Sequence, residues 1–252
     1  MSFLKWISLG LIALFLAGCI TSTAPVTGRT QLVLMSADEE KSLGLSEADN
    51  ILANATQSSD KVLTERVVNV GKRIVAVSDD AKAYDWSFYV LEDETVNAFA
   101  LPGGKVFFYT GILKIMANDD QIATVMGHEI AHVLAHHGAE RMSQQMVSDA
   151  GSQVLAAVLK VPAQYQTVYD TAYGVASNVG VILPFSRKHE SEADTIGVYL
   201  MHKAGYNTSE AVKFWQSMSA LGGSSQTPGF LSTHPSDEKR IKDIEAYIKT
   251  LK

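Results

Sequence analysis

Apolar positions along the chain recur with two different periods, and the changes of period divide it into elements. Val62, Leu63, Val67, Val70, Ile74 and Val77 recur every three to four residues across 60–78, the spacing of one buried helical stripe. An earlier helix opens at Ser36-Ala37-Asp38-Glu39, a capping box, and runs to about residue 55. From Trp86 the period becomes that of extended chain. Residues 86–91, 97–101 and 105–109 read as three strands, with Pro102-Gly103-Gly104 as a turn. Helical spacing returns over 121–135, through Ile122, Val125, Met126, Val133 and Leu134, behind the capping and acidic residues Asn118-Asp119-Asp120. His136-His137-Gly138 reads as its basic, glycine-terminated end.

Residues 140–183 read as packed helices broken near Pro162, with no apolar run long enough to span a bilayer. A further helix opens near Ser186 and ends at Gly205. Another follows the capping box Asn207-Thr208-Ser209-Glu210, with Val212, Phe214, Trp215 and Met218 inside. After a flexible loop over 222–229 come Thr233-His234-Pro235 and a last amphipathic helix holding Arg240, Ile241, Ile244, Tyr247 and Ile248. The pattern predicts an α+β fold, mainly α, with the 121–135 helix packed beside a small antiparallel sheet.

A hydrophobic fraction of 46% with 19% charged residues is that of a globular chain. The net charge of −6 provides no basic footprint, which excludes nucleic acid as an expected partner. The leader changes the picture more. Lys5 precedes an apolar stretch over 6–16 that is short for a membrane span, ending in Leu16-Ala17-Gly18-Cys19. This resembles the lipobox of bacterial lipoprotein signal peptides and implies a signal peptide over 1–18. A tether would then occupy 19–35 and a single catalytic domain 36–252. Lipidated Cys19, the one cysteine, would anchor the chain in the cell envelope, at an outer membrane facing the periplasm.

The candidate chemistry lies in Gly127-His128-Glu129-Ile130-Ala131-His132. Residues four apart share a helical face about 6 Å along the axis, so His128 and His132 can offer nitrogens to one metal ion, with Glu129 beside a water on that ion. His136, one turn beyond, is an outlying alternative. A third ligand must come from elsewhere, and Ser186-Arg187-Lys188-His189-Glu190-Ser191-Glu192-Ala193-Asp194 offers both His189 and Glu190. Glu192 lies about 200° around the helix from Glu190 and is expected to face solvent. The strands before the metal helix are either a structural hairpin or an edge that pairs with an extended substrate.

Asn97-Ala98-Phe99-Ala100-Leu101 through Leu113, the HEIAH stretch and Glu190-Ser191-Glu192-Ala193-Asp194 together resemble one zinc metallopeptidase family. That family includes the CAAX prenyl endopeptidase, HtpX and the periplasmic protease BepA. Pro25-Val26-Thr27-Gly28-Arg29 resembles the leader of its lipoprotein members. The resemblance implies a gluzincin-like fold and one zinc ion per chain held by His128, His132 and Glu190, with Asp194 supporting them. Glu129 would be the general base, and Asn97, Ala98, Phe99 and Ala100 the substrate strand. Thr233-His234-Pro235 with a downstream arginine resembles the family's C-terminal motif, which makes His234 either a fourth ligand that holds the enzyme latent or an oxyanion helper. The expected function is an endopeptidase acting on misfolded or misassembled envelope proteins. The alternative is a chaperone-like assembly factor with weak or latent proteolysis.

Overall fold

The computed structural model describes residues 21–158, 186–222, 229–235 and 238–251. The leader, Cys19, the break near Pro162 and most of the 222–229 loop lie outside the described residues. The described residues open with an antiparallel hairpin, β1 (Thr21–Thr23) and β2 (Thr30–Leu32), within the segment expected to be a tether. Then α1 (Ala37–Asn54) starts at the capping box, with Ser36 Oγ accepting from Glu39 N and Glu39 Oε2 accepting from Ser36 N. Helix α2 (Lys61–Val75) is capped by Asp60 and buries Val67, Val70 and Ile74. Val62, expected in that buried stripe, is 71% exposed because it sits in the first turn, beyond the reach of the core.

Strands β3 (Ser87–Leu91), β4 (Ala98–Leu101) and β5 (Lys105–Tyr109) form a sheet of order β3-β5-β4. It is mixed, not antiparallel as expected: β4 pairs antiparallel with β5, whereas β3 pairs parallel with it. The reason is burial. Val106, Phe107 and Phe108 are all fully buried, so β5 is driven to the centre, where both its faces are covered. Phe107 stacks between Tyr89 and Phe99 on the face under α1, while Val106 and Phe108 join the main core. The β4–β5 turn needs left-handed backbone at Gly103 and Gly104, φ 89° and 90°.

A short helix, α3 (Thr110–Lys114), leads to α4 (Asp119–Leu134), capped by Asn118 Oδ1 on Gln121 N at 3.0 Å. Every residue of α4 from Gln121 to Leu134 is buried, as expected of a helix surrounded by other elements. His136 then takes a left-handed φ of 50° and α5 (His137–Val158) begins, so the glycine-terminated end expected at Gly138 is instead a turn at His136. After the undescribed stretch come α6 (Arg187–Lys203), α7 (Ser209–Gly222), α8 (Gly229–Thr233) and α9 (Glu238–Ile248). Among the described residues no helix is long and apolar enough to cross a membrane.

The most extensive helix pair is α4 against α6, and it positions the site. The two meet backbone to backbone at Gly127 and Gly197, where a Cβ on Gly197 would lie 2.8 Å from His128 N. Only glycines permit this approach, and it brings the ligand-bearing turns of both helices together.

Candidate metal centre

Helix α4 presents His128 and His132 on one face, and α6 presents Glu190 from its first turn, where Ser186 Oγ caps His189 N at 3.2 Å. His234 follows α8, which is docked by Phe230 N donating to Val96 O at 2.8 Å. These four side chains converge, with one donor atom of each within 4.8 Å of all the others, and none is more than 4% exposed. His128 Nε2 lies 3.1 Å from His132 Nε2, 3.3 Å from His234 Nδ1 and 3.4 Å from Glu190 Oε2. Glu190 Oε1 lies 3.1 Å from His234 Nδ1 and 3.4 Å from His132 Nε2.

Those separations are a test of fit. Nitrogen or oxygen ligands about 2.0–2.1 Å from a tetrahedral zinc ion stand roughly 3.3–3.4 Å apart, and the observed edges are of that size. The tautomers agree. His128 Nδ1 faces Asp194 Oδ1 at 3.0 Å, so the proton resides there and Nε2 directs a lone pair at the other donors. Convergent lone pairs 3.1 Å apart repel one another unless a metal ion, or in the metal-free chain a proton on His128, lies between them. The donor set fits a divalent metal ion.

The charge balance points the same way. Burial opposes the charged form of His128, yet the Glu190 and Asp194 carboxylates beside it carry it up to about 9. Burial, aided by the neighbouring His128 and His137 and against the pull of Glu190, holds His132 well below the usual imidazole range. Glu190 is held well below the usual carboxylate range despite its burial, chiefly by Arg240. Glu129 moves the other way, raised by burial against the pull of His234 and His128. Its Oε2 accepts from Ala100 N at 3.1 Å, while Oε1 is buried without a hydrogen-bond partner, 3.6 Å from His234 Nε2.

The model of peptidase family M48 matches residues 62–248, a span that holds all these side chains. The chain belongs to peptidase family M48. The relatives agree. The mitochondrial metalloendopeptidase OMA1 of Schizosaccharomyces pombe is 36% identical over 233 residues, 89% of this chain and 65% of that protein. Its namesake in Saccharomyces cerevisiae is 32% identical over 261 residues, covering 94% and 73%. The beta-barrel assembly-enhancing protease of Escherichia coli K12 is 27% identical over 229 residues, covering 88% and 46%. The chain therefore spans just under two thirds of the first relative and under half of the last.

These findings correct one expectation. The two M48 relatives that match at 32% and 36% identity are mitochondrial proteins by name, which overturns the lipid-anchored, outer-membrane location read from the leader. A basic residue, a short apolar stretch and a cysteine form a pattern of low information that several targeting segments share.

Within the M48 domain, the sequence-predicted residues fall together. His128, His132, Glu190 and His234 form the cluster, Asp194 supports His128, and Ala98 and Ala100 stand on the strand edge beside Glu129. Tyr109 N donates to Asn97 O, so by the alternation of the ladder Ala98 and Ala100 turn their N–H and C=O groups away from β5. Asn97 and Phe99 face the opposite way, and Phe99 stacks on Phe107.

Other side chains depart from expectation. Glu192 is 6% exposed, because the hairpin and α5 cover the far side of α6. His137 is fully buried, with Nδ1 2.9 Å from His132 Nδ1 and Nε2 3.0 Å from Glu192 Oε2; it is not merely a charge at a helix end. His189 Nε2 turns to Glu140 Oε2 at 3.0 Å, and His136 Nδ1 to Glu40 Oε2 at 2.7 Å, so neither joins the cluster.

Arg240 was legible only as a motif arginine on an amphipathic helix, and its place in the site was not. Its guanidinium binds both oxygens of Asp194, lies 2.7 Å from Glu190 Oε2 through Nη1, and covers the Trp215 ring at 3.8 Å. Trp215 in turn packs edge-on against His128, 5.6 Å between centroids, and stacks on Phe230. The available signal was a lone arginine among apolar positions of α9, next to the Thr233-His234-Pro235 stretch.

Proposed function

We propose that this chain is a zinc-dependent endopeptidase whose peptidase domain includes the β1–β2 hairpin. The observation that carries the reading is the convergence of His128, His132 and Glu190 with Glu129 beside them. His128, His132 and Glu190 would hold the ion, a His₂Glu set of nitrogen and oxygen donors that suits zinc. When bound, zinc would supply Lewis acidity, making water near it more acidic and stabilising negative charge on the peptide oxygen.

The remaining steps belong to the chain. The outward N–H and C=O of Ala98 and the outward C=O of Ala100 pair with an extended substrate, adding a strand along β4, while Ala100 N–H stays with Glu129. Glu129 takes a proton from the attacking water and delivers it to the leaving amine. Its burial raises its proton affinity above that of an ordinary carboxylate, which suits a group that takes up a proton and passes it on. Asp194 holds His128 in the tautomer that leaves Nε2 as a ligand, and Arg240 holds Asp194.

His234 occupies the fourth corner of the cluster and is 2% exposed, which supports its role as the ligand that keeps the enzyme latent over that of an oxyanion helper. Substrate entry then requires the 229–235 segment to withdraw. The Glu129→Gln variant is expected to retain one zinc ion and to lose cleavage of an unfolded protein by about 10²–10⁴-fold. Cleavage at the unmodified rate by a zinc-loaded Glu129→Gln chain would refute the assignment.

A further inference from the structure

A chain of buried polar groups leads from the N-terminal hairpin to the metal cluster. His132 Nε2 points at the other donors, so it offers a lone pair and its proton resides on Nδ1. That Nδ1–H faces His137 Nδ1 at 2.9 Å, which must therefore accept. The proton of His137 is then on Nε2, which donates to Glu192 Oε2 at 3.0 Å. Each tautomer follows from the one before it.

Glu192 is held by the hairpin. Thr27 donates its hydroxyl to Oε1 and Arg29 Nε donates to Oε2 at 2.5 Å. The rest of the Arg29 guanidinium forks onto Glu140, Nη1 to Oε1 at 2.8 Å and Nη2 to Oε2 at 2.6 Å. Glu140 Oε2 meets His189, the residue before Glu190. One guanidinium thus ties α5 to α6 beside two of the three proposed ligands, and its side chain is 13% exposed.

The hairpin tip is built rigidly for this. Ala24 N donates to Arg29 O at 2.8 Å and Gly28 N to Ala24 O at 3.1 Å. Val26 is held at φ 64°, a backbone region that β-branched residues seldom adopt and that persists only where surrounding contacts over-determine it. Gln31 Oε1 accepts from Arg29 Nη2 at 3.1 Å, and Leu34 N donates to Ser143 Oγ on α5 at 2.8 Å.

We propose that Thr27 and Arg29 are positioning residues which, through Glu192 and His137, fix the orientation and tautomer of the metal ligand His132. The proposal rests on the reading of His132 as a metal ligand. It gives the N-terminal hairpin, which lies outside the matched span 62–248, a direct part in the metal centre.

Cobalt(II) titration of the full chain tests it, with affinity from chelator competition and geometry from the visible absorption of bound cobalt. Removing an outer hydrogen-bond partner of a ligating histidine typically lowers metal affinity by about 10–100-fold, and Arg29→Met is expected to do so and to move the cobalt band. Thr27→Val, which deletes only a hydroxyl, should act in the same direction to a smaller extent. Arg29→Lys should recover part of the loss. Thermal unfolding of the metal-free variants separates positioning from general stability, and Thr27→Val serves if Arg29→Met does not fold. Unchanged affinity and band in the variants would overturn the relay, as would losses that merely follow metal-free stability. If the unmodified chain binds no cobalt, the metal reading falls and the relay with it. If it binds cobalt and the variants bind equally, only the relay falls.

Discussion

Arg240→Met should destabilise the metal-free protein far more than the metal-loaded one. Arg240 is 6% exposed and compensates two buried carboxylates, Asp194 and Glu190, while covering the Trp215 ring. Methionine retains most of the apolar stem, so the substitution removes the charge and its hydrogen bonds with little loss of packing. Breaking one side of a buried ion pair costs about 3–5 kcal/mol, because the abandoned charges stay buried. The ring contact is part of the same interaction and is not added to it. For a domain of this size each kcal/mol corresponds to about 2–4 °C, so the metal-free melting temperature should fall by roughly 6–20 °C. A zinc ion supplies two positive charges next to Glu190 and relieves the same imbalance, so with metal bound the fall should shrink markedly. Thermal unfolding of both proteins, in chelator and in a slight excess of zinc, measures the difference. Equal losses in the two conditions, or a metal-free loss below about 2 °C, would refute the charge balance described for this site.

Three further outcomes follow from the geometry. His234→Ala should raise cleavage of an unfolded protein while zinc stays bound; a fall in cleavage with zinc retained would make His234 a catalytic helper. Gly197→Ala places a Cβ 2.8 Å from His128 N, and since both sides are backbone the helices must part. A stability loss of about 1–3 kcal/mol, with weaker metal binding, is expected in a denaturant titration. An unchanged midpoint would contradict the close α4–α6 crossing. Finally, the hydrogen bond to Glu40 raises the pKa of His136 above its ordinary value. Its contribution is thus fully present below the unfolded value of about 6.5 and is lost as pH rises through the higher folded value. Glu40→Gln should therefore cost more stability at pH 6 than at pH 9, as read by urea unfolding at both; a loss independent of pH would sink this assignment.

The parts of the site legible in the sequence were those whose geometry is local. His128 and His132 are four residues apart on one helix, so helical periodicity alone placed them on a common face. Asn118 and Ser36 were readable as caps because a cap acts on a backbone group three residues away. The parts that were not legible depend on what packs against a helix. Glu192 lies on the side of α6 away from Glu190, and only the docking of a hairpin more than 160 residues earlier turns that side into an interior. His137 read as a helix end because its partner Glu192, 55 residues on, is invisible to any local pattern. The expected antiparallel sheet is mixed for a related reason. The burial of Phe107 and Phe108 puts β5 between β3 and β4, where it runs parallel to β3, and no local pattern in the strands records that placement. The leader misled because its pattern is chemically unspecific, and the relatives, not the residues, supplied the correction.

The central claim is that His128, His132 and Glu190 hold one catalytic metal ion. Its most direct test is the metal content of the purified chain, measured by elemental analysis beside Glu190→Gln and His132→Ala. One zinc ion per unmodified chain is expected, with most of it lost in both variants and folding retained by circular dichroism. A folded chain free of zinc after gentle purification that also takes up none when it is supplied, or undiminished zinc in both variants, would contradict it.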